Sequence, residues 1–321
     1  MIRKKIAVLR GGPSSEHEVS LKTGKNVLRE LADKYDVIDI VIDKQGVWHI
    51  QGLPVDPIKA IKMADLVFNA LHGEYGEDGK VQQLLENLQA KFTGSGSLGS
   101  ALAMNKVRAK EIFQKNGLKT PLHKVLSKPE SDEGLELQAL LIFRNFTMPV
   151  VLKPVDRGSS IGISVVSDFD TLKVVMGRLY EMYPQILVEE YIIGKEATVG
   201  VIEKFRNQDL YSLLPTEIEL PKQKNLFDYE TKYSGTATER TPGNFNSDER
   251  EALQKIAKIA HEALGLRQYS RSDFVVHPKR GIYLLETNSL PGLGENMLLV
   301  NSLKHVNLSL GEFLDHIINL S

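Results

Sequence analysis

Arg271-Ser272-Asp273-Phe274-Val275-Val276-His277-Pro278-Lys279-Arg280-Gly281-Ile282-Tyr283-Leu284-Leu285-Glu286-Thr287-Asn288 sets two apolar runs either side of a turn-forming cluster, the pattern of a β-hairpin. Taking Lys279-Arg280 as a two-residue loop puts Pro278 opposite Gly281 and, counting outward, Asp273 opposite Glu286. Asn288 lies two residues beyond Glu286 and so on the same face. Opposed residues on an antiparallel pair have Cβ atoms roughly 4.5–5.5 Å apart, where like charges repel. Two carboxylates and an amide oxygen on one face therefore call for a cation between them. Hard oxygen donors without Cys or His favour Mg²⁺, with Mn²⁺ as the alternative, completed by water and phosphate oxygens. A polar edge facing solvent would account for Asp273 alone. A one-residue slip of register would dissolve the arrangement.

Outward from the hairpin, the chain reads as alternating strands and helices. Ile6–Leu9 is a short buried strand stopped by Gly11-Gly12-Pro13, Ser20–Ala32 an amphipathic helix, and Val37–Ile42 and Leu66–Leu71 further strands. Such alternation implies a parallel sheet with helices on its faces. Residues 81–90 read as a helix and Thr93–Gly99 as a small-residue connector. Asn105–Asn116 is a helix, Pro149–Lys153 and Ile163–Val166 flank a Gly/Ser loop, and Asp170–Tyr183 and Ile186–Tyr191 follow as helix and strand. A polar stretch from 215 to 246 precedes a helix at Asp248–Leu264. The expected parts are 1–95, 96–187 and 188–321.

Composition narrows the function. The 321 residues carry 40 basic and 41 acidic side chains, a formal net charge of -1, which argues against bulk binding of nucleic acid or anionic membrane. Without cysteine there is no thiolate nucleophile, disulfide or Cys-based metal site. The apolar run after Arg3-Lys4-Lys5 is too short for a signal peptide, and no stretch reads as a membrane span, so a cytoplasmic protein is expected.

Two glycine-rich segments need separate readings. Lys153-Pro154-Val155-Asp156-Arg157-Gly158-Ser159-Ser160-Ile161-Gly162 follows a strand, and its backbone N–H groups, hydroxyls and terminal lysine suit a phosphate. A plain hairpin tip would show the same composition. Gly94-Ser95-Gly96-Ser97-Leu98-Gly99 matches G-x-G-x-x-G but lacks the long preceding strand and the acidic residue about 20 positions on, so the match is accidental.

Together with these, Gly11-Gly12-Pro13-Ser14-Ser15-Glu16-His17-Glu18-Val19-Ser20, His72-Gly73-Glu74-Tyr75-Gly76-Glu77-Asp78-Gly79, Tyr229-Glu230-Thr231-Lys232-Tyr233 and Glu286-Thr287-Asn288-Ser289-Leu290-Pro291-Gly292 resemble the D-alanine–D-alanine ligase family, in the family's order and over nearly the whole chain. The resemblance implies an α/β (α+β) ATP-grasp fold. Its parts would be an N-terminal Rossmann-like parallel-sheet domain, a small central domain and a C-terminal α+β domain. It implies ATP-dependent joining of two D-alanines for peptidoglycan, hence for cell wall and cell shape, with a homodimer as the family expectation. It assigns Lys106, Lys153, Ser160 and Lys232 to ATP, with Glu189 near the adenine, the Glu190, Tyr191 and Ile192 backbone beside it, and Glu196 on the ribose. Asp273, Glu286 and Asn288 would hold two Mg²⁺ ions. Glu16 would receive the first D-alanine's ammonium and join Ser159 and Tyr233 in a hydrogen-bonded set closing a loop over the site. His72 would sit near that substrate's carboxylate, Arg271 and Gly292 at the oxyanion, and Leu298 at the second subsite.

One position departs from the family. Where its members usually carry the serine of a Ser-Leu pair, this chain has Met297-Leu298, and a thioether donates no hydrogen bond. The second carboxylate then needs other donors, which leaves a different acceptor amino acid as the alternative reading. Tyr233 stands where D-lactate-using relatives commonly have histidine, which favours an amine acceptor. A silent nucleotide-binding protein is the rival of another class, opposed by the intact Lys106, Lys153, Asp273, Glu286 and Asn288. His17 adjoins a matched motif, and Asp78 reads as a helix cap.

Overall fold

The computed structural model describes residues 3–158, 162–219 and 238–321, which form three sheets. The first is built from β1 (Lys5–Gly11), β2 (Asp36–Ile42), β3 (Trp48–Ile50), β4 (Leu53–Pro54) and β5 (Leu66–Asn69) in the order β4-β3-β2-β1-β5. Its centre is parallel: β1 runs alongside both β2 and β5, while β3 and β4 add an antiparallel edge. Ile6 to Leu9 is an unbroken apolar run because β1 is covered on both faces, leaving all four residues fully buried. Helices α1 (His17–Leu31), α2 (Pro57–Lys62) and α3 (Lys80–Asn87) accompany this sheet. Helix α1 starts three residues earlier than its hydrophobic pattern suggests.

Residues 93–99 are more than a connector: Gly96 is the N-cap of α4 (Ser97–Met104), and α5 (Lys106–Lys115) follows behind Asn105, whose side chain accepts the Arg108 N–H. The glycines here serve docking. Gly94 N–H donates to Gln268 Oε1 at 2.7 Å, and a Cβ on Gly99 would meet Gly265 O at 2.8 Å.

The second sheet has β6 (His123–Ser127), β7 (Val150–Pro154), β8 (Ser164–Val166) and β9 (Gln185–Glu190) in the antiparallel order β6-β9-β7-β8. Helices α6 (Asp132–Asn145) and α7 (Phe169–Met182) share a core with it through Ala139, Ile142, Leu172 and Met176. The expected boundary between 187 and 188 meets a paired strand. It falls inside β9, whose pairing with β6 and β7 runs through Glu190, and such non-local pairing is invisible to local composition. The α4–α5 segment is also displaced from its expected place, since Ala103, Ala109 and Phe113 share a core with the third sheet.

That third sheet comprises β10 (Lys195–Phe205), β11 (Gln208–Ser212), β12 (Thr216–Glu219), β13 (Thr238–Arg240), β14 (Tyr269–His277) and β15 (Gly281–Asn288), ordered β13-β12-β10-β14-β15 with β11 paired to β10. Helix α8 (Ser247–Ala263) begins at a capping box formed by Asn246 and Glu249. After β15 come α9 (Leu298–Lys304) and α10 (Leu310–Asn319), and the chain returns to the first sheet: Phe313, Leu314, Ile317 and Ile318 are fully buried in one core with Ile6, Val8 and Phe68. Each such side chain contributes about 1.5–3 kcal/mol, so these four suffice to anchor the C-terminus there.

Candidate active site

The β14–β15 hairpin places Asp273 opposite Glu286 and Arg271 opposite Asn288. It arrives there by a different route from the simple count. His277 pairs with Gly281, so the loop is the three residues Pro278-Lys279-Arg280, with His277 Nδ1 taking the N–H groups of Lys279 and Arg280 at 3.0 Å. That offset of one is removed at Leu285, an extra residue where the register shifts between Asp273 and Phe274. The two-residue loop is thus incorrect while the acid pair stands, because turn and bulge cancel.

The polar heads converge. Asn288 Nδ2 lies 3.4 Å from Asp273 Oδ2, and Thr198 Oγ1 donates to Asp273 Oδ1 at 2.6 Å. Arg271, two residues along the same face, holds Asp273 through Nε at 2.9 Å and Nη2 at 2.8 Å. Lys106, the first residue of α5, brings Nζ to 3.6 Å from Glu286 Oε2 and donates to the Arg157 carbonyl at 2.5 Å.

Behind these groups lies a buried charge cluster. Glu189, 2% exposed, takes Lys153 Nζ at 2.7 Å on one oxygen and Lys110 Nζ at 2.9 Å on the other. Burial pushes the Lys110 ammonium down to about 8 against the pull of Glu189. Burial alone would raise the Glu189 carboxyl, but Lys110 and Lys153 outweigh it and bring it down to about 2. The Glu190 side chain instead joins elements, accepting the Leu122 N–H at 2.9 Å and pairing with Arg280 at 2.8 Å. Ile192 is buried, and burial, with the Glu196 charge adding to it, raises the Tyr191 phenol.

A cavity of about 100 Å³ opens beside the hairpin, lined by Glu16, His72, Arg271, Gly292 and Leu298 among others. His72 is fixed by two partners, Thr23 Oγ1 at 2.9 Å on Nε2 and Glu77 Oε1 at 3.1 Å on Nδ1. Glu16 is buried where α1 begins, its carboxylate wedged between two glycines: a Cβ on Gly158 would come within 2.6 Å of Glu16 Oε2, and one on Gly73 within 2.9 Å. A second, smaller cavity is lined by Lys106, Arg157, Gly158, Glu286 and Asn288, and Glu77 and Asn288 line both. Ser159, Ser160, Lys232 and Tyr233, and with them the 220–237 part of the expected lid, lie outside the described residues.

Family models match both ends of the chain: D-ala D-ala ligase N-terminus over residues 5–59 and 53–95, and D-ala D-ala ligase C-terminus over residues 112–319. The chain belongs to the D-alanine–D-alanine ligase family. A D-alanine–D-alanine ligase of Halalkalibacterium halodurans is 38% identical over 323 residues, 99% of each chain. That of Geotalea uraniireducens is 37% identical over 298 residues, 92% of this chain and 88% of its own. Among solved structures, the VanG D-Ala:D-Ser ligase from Enterococcus faecalis has a TM-score of 0.83 at 29% identity over 99% of both chains. The D-alanine-D-alanine ligase from Coxiella burnetii has a TM-score of 0.82 at 25% identity, covering 100% of this chain and 94% of its own. The fold is therefore ATP-grasp, and the chain is an ATP-dependent ligase.

Within that family frame, three residues of the site escaped the sequence reading. Lys110 sits four positions after Lys106, one helical turn along the same face, a spacing that could have pointed to it. Glu77 orients His72 and lines both cavities, whereas the N-cap of α3 is Gly79 and its neighbour Asp78 accepts the Lys80 N–H at 3.1 Å from one residue before it. Glu239 reaches the larger cavity from β13, and nothing in its local sequence announces this. Met297 precedes α9 and folds over its own loop: its Sδ takes the Gly294 N–H at 3.3 Å and lies 2.2 Å from where a Cβ on Gly292 would stand. Among the described residues no helix is long and apolar enough to cross a membrane.

Proposed function

We propose that the chain joins two D-alanines into D-alanyl-D-alanine for peptidoglycan synthesis, converting ATP to ADP and phosphate through an acyl phosphate. The observation that carries this reading is the meeting of two cavities at Glu77 and Asn288, one rimmed by cationic and acidic groups suited to phosphates, the other by groups suited to an amino acid.

On this reading the ammonium of the first D-alanine rests on Glu16, whose carboxylate is held between Gly73 and Gly158, with His72 near the substrate carboxylate. A carboxylate is a poor acyl donor. Its oxygen attacks the γ-phosphorus, the bond to ADP breaks, and the acyl phosphate forms, a step that depends mainly on positioning and charge neutralisation. Lys106 and Lys153 supply positive charge on the phosphate side, and Ser160 and Lys232 are assigned there on the resemblance alone. The Glu190–Ile192 backbone and Glu196 would hold the adenine and ribose. The second D-alanine's neutral amine then attacks the acyl carbon and phosphate departs. Arg271 and the Gly292 N–H face the oxyanion, and closure of Ser159 and Tyr233 with Glu16 would keep water from the acyl phosphate.

The carboxylates of Asp273 and Glu286, opposed across the hairpin, with the Asn288 amide beside Asp273, make a set without Cys or His that fits hard divalent ions, and we assign them two Mg²⁺, with Mn²⁺ as substitute. Bound there, the ions would neutralise charge on the terminal phosphates. The reaction is placed in the cytoplasm, where ATP is available, and a homodimer is the proposed assembly on family resemblance. We also propose the functional units as an N-terminal substrate part, a central part with the phosphate loop, and a C-terminal part bearing the metal site.

The purified protein with ATP, magnesium and D-alanine should release phosphate and yield a dipeptide of the D-alanyl-D-alanine mass. ATP turnover with other amino acids only would reject the substrate, and ATP binding in calorimetry without turnover on any amino acid would reject the ligase. Met297 favours one second reading, a ligase with a different acceptor.

A further inference from the structure

The ion pair of Arg157 and Glu74 joins two loops that the reaction above assigns to different ligands. Arg157 lies in the phosphate loop after β7, and Glu74 lies between β5 and α3, 83 positions earlier. Each end of Arg157 is engaged. Its carbonyl accepts Lys106 Nζ at 2.5 Å, and its Nη1 donates to Glu74 Oε1. An ammonium has three donors, so Lys106 can hold that carbonyl and a phosphate oxygen together. Glu74 Oε2 in turn accepts the Ser14 hydroxyl at 2.9 Å, the Ser15 N–H at 3.3 Å and the Ser15 hydroxyl at 3.1 Å. Ser14 Oγ accepts the Glu16 N–H at 3.0 Å. A continuous set of contacts therefore runs from Lys106 to the backbone of Glu16, while Gly158, next to Arg157, packs against the Glu16 carboxylate.

Stability alone gives this pair little purpose. The Arg157 and Glu74 side chains are 33% and 21% exposed, and an ion pair reached by water adds little to folding. Its leverage is on position. Burial would raise the Glu74 carboxyl, but a backbone hydrogen bond, Ser14 and Arg157 together bring it below the ordinary range, so it remains an anion. We infer that Glu74 and Arg157 are positioning residues that couple nucleotide binding to the seat of the first amino acid. A nucleotide that fixes Lys106 and the Arg157 carbonyl also fixes the Glu74 carboxylate, and with it Ser14 and Glu16. The first D-alanine then meets groups whose ordering is already complete. The effect is reciprocal, and the amino acid must tighten the nucleotide by the same factor. This rests on the ligase reading and adds the residues through which its two ligands communicate.

The test measures, by calorimetry, the affinity of the β,γ-imido analogue of ATP with magnesium, with and without saturating D-alanine. D-alanine is expected to tighten the analogue at least about fivefold on the wild type, the lower end of ordinary coupling. In Glu74→Gln and in Arg157→Gln that factor should fall below about twofold, and the double variant should match the single ones, because both act through one contact. A wild-type factor below about fivefold overturns the inference, as does a single variant that stays above about twofold. So does a double variant whose loss is the product of two separate losses. Weaker analogue binding by Arg157→Gln with the factor unchanged would make Arg157 a plain phosphate contact, and overturns it equally. Should Arg157→Gln not fold, Glu74→Gln, alike in shape to the native residue, decides alone. A wild type that makes no dipeptide from ATP and D-alanine is a different result, and it rejects the ligase reading itself.

Discussion

Lys106 Nζ lies 3.6 Å from Glu286 Oε2, so the first residue of helix α5 and strand β15 meet at one point of the smaller cavity. Lys106 is 7% exposed at its side chain and Glu286 23%, a partly desolvated pair whose charges still reach the cavity. Replacing Glu286 by Gln keeps the shape and removes the charge. Turnover, followed by ADP release with D-alanine, is expected to fall roughly 10²–10³-fold, the scale for loss of one preorganised electrostatic partner. The melting temperature should stay close to wild type, since the side chain is not a core element. Wild-type turnover would remove Glu286 from the site.

Lys110 makes a contrasting case, because its side chain is completely buried against Glu189. Lys110→Met leaves Glu189 with Lys153 as its cation. Breaking a buried pair costs up to about 3–5 kcal/mol when the charge is left alone, and Lys153 on the other oxygen keeps the loss below that. Chemical denaturation should show that loss, and the double change with Glu189→Leu should recover part of it. Additive losses in the double variant would contradict the pairing.

The same cluster predicts an acid dependence. Glu189 titrates at about 2 in the folded chain against an ordinary value of 4.5. The unfolded chain therefore takes up the proton first as pH falls, and folded stability drops with it. The contribution, at most about 3 kcal/mol, is whole above about pH 4.5 and is lost on descending to about 2. Denaturation of wild type and Glu189→Gln across that range should show the gap between them closing as pH falls. A constant gap would contradict the assignment.

Gly158→Ala tests the seat of Glu16. The added methyl would stand 2.6 Å from Glu16 Oε2, so the carboxylate must move. Displacement of a substrate-positioning group by about 1 Å can cost 10²-fold, so the KM for the first D-alanine should rise by at least about tenfold with the fold intact. An unchanged KM would mean that Glu16 does not receive the ammonium.

How much of this was legible beforehand follows from the range of each interaction. Strand β1, helix α1 and the sequence around Asn105 were readable because burial on two faces, 3.6-residue periodicity and an N-cap are local. The hairpin was readable in outcome only: its apolar runs are local, but the three-residue loop and the extra residue at Leu285 are set by how β14 and β15 twist against each other. The β9 boundary and the Glu189 cluster were not readable, since β9 pairs with residues 32 and more positions earlier, and Lys110 reaches Glu189 across 79 positions.

By itself the sequence determined which chemical groups are on hand: no thiols, a near-zero net charge, paired acids and an amide with period-two spacing, and a Gly/Ser segment after Lys153. Tertiary structure alone decided which of these groups share a cavity. It brought Glu16 under Gly158, Lys106 to Glu286, Glu239 beside Arg271 and the C-terminal helix onto the first sheet. The division has a physical cause, because chain spacing controls which way neighbouring side chains point, whereas contacts between distant segments come from burying many apolar surfaces at once.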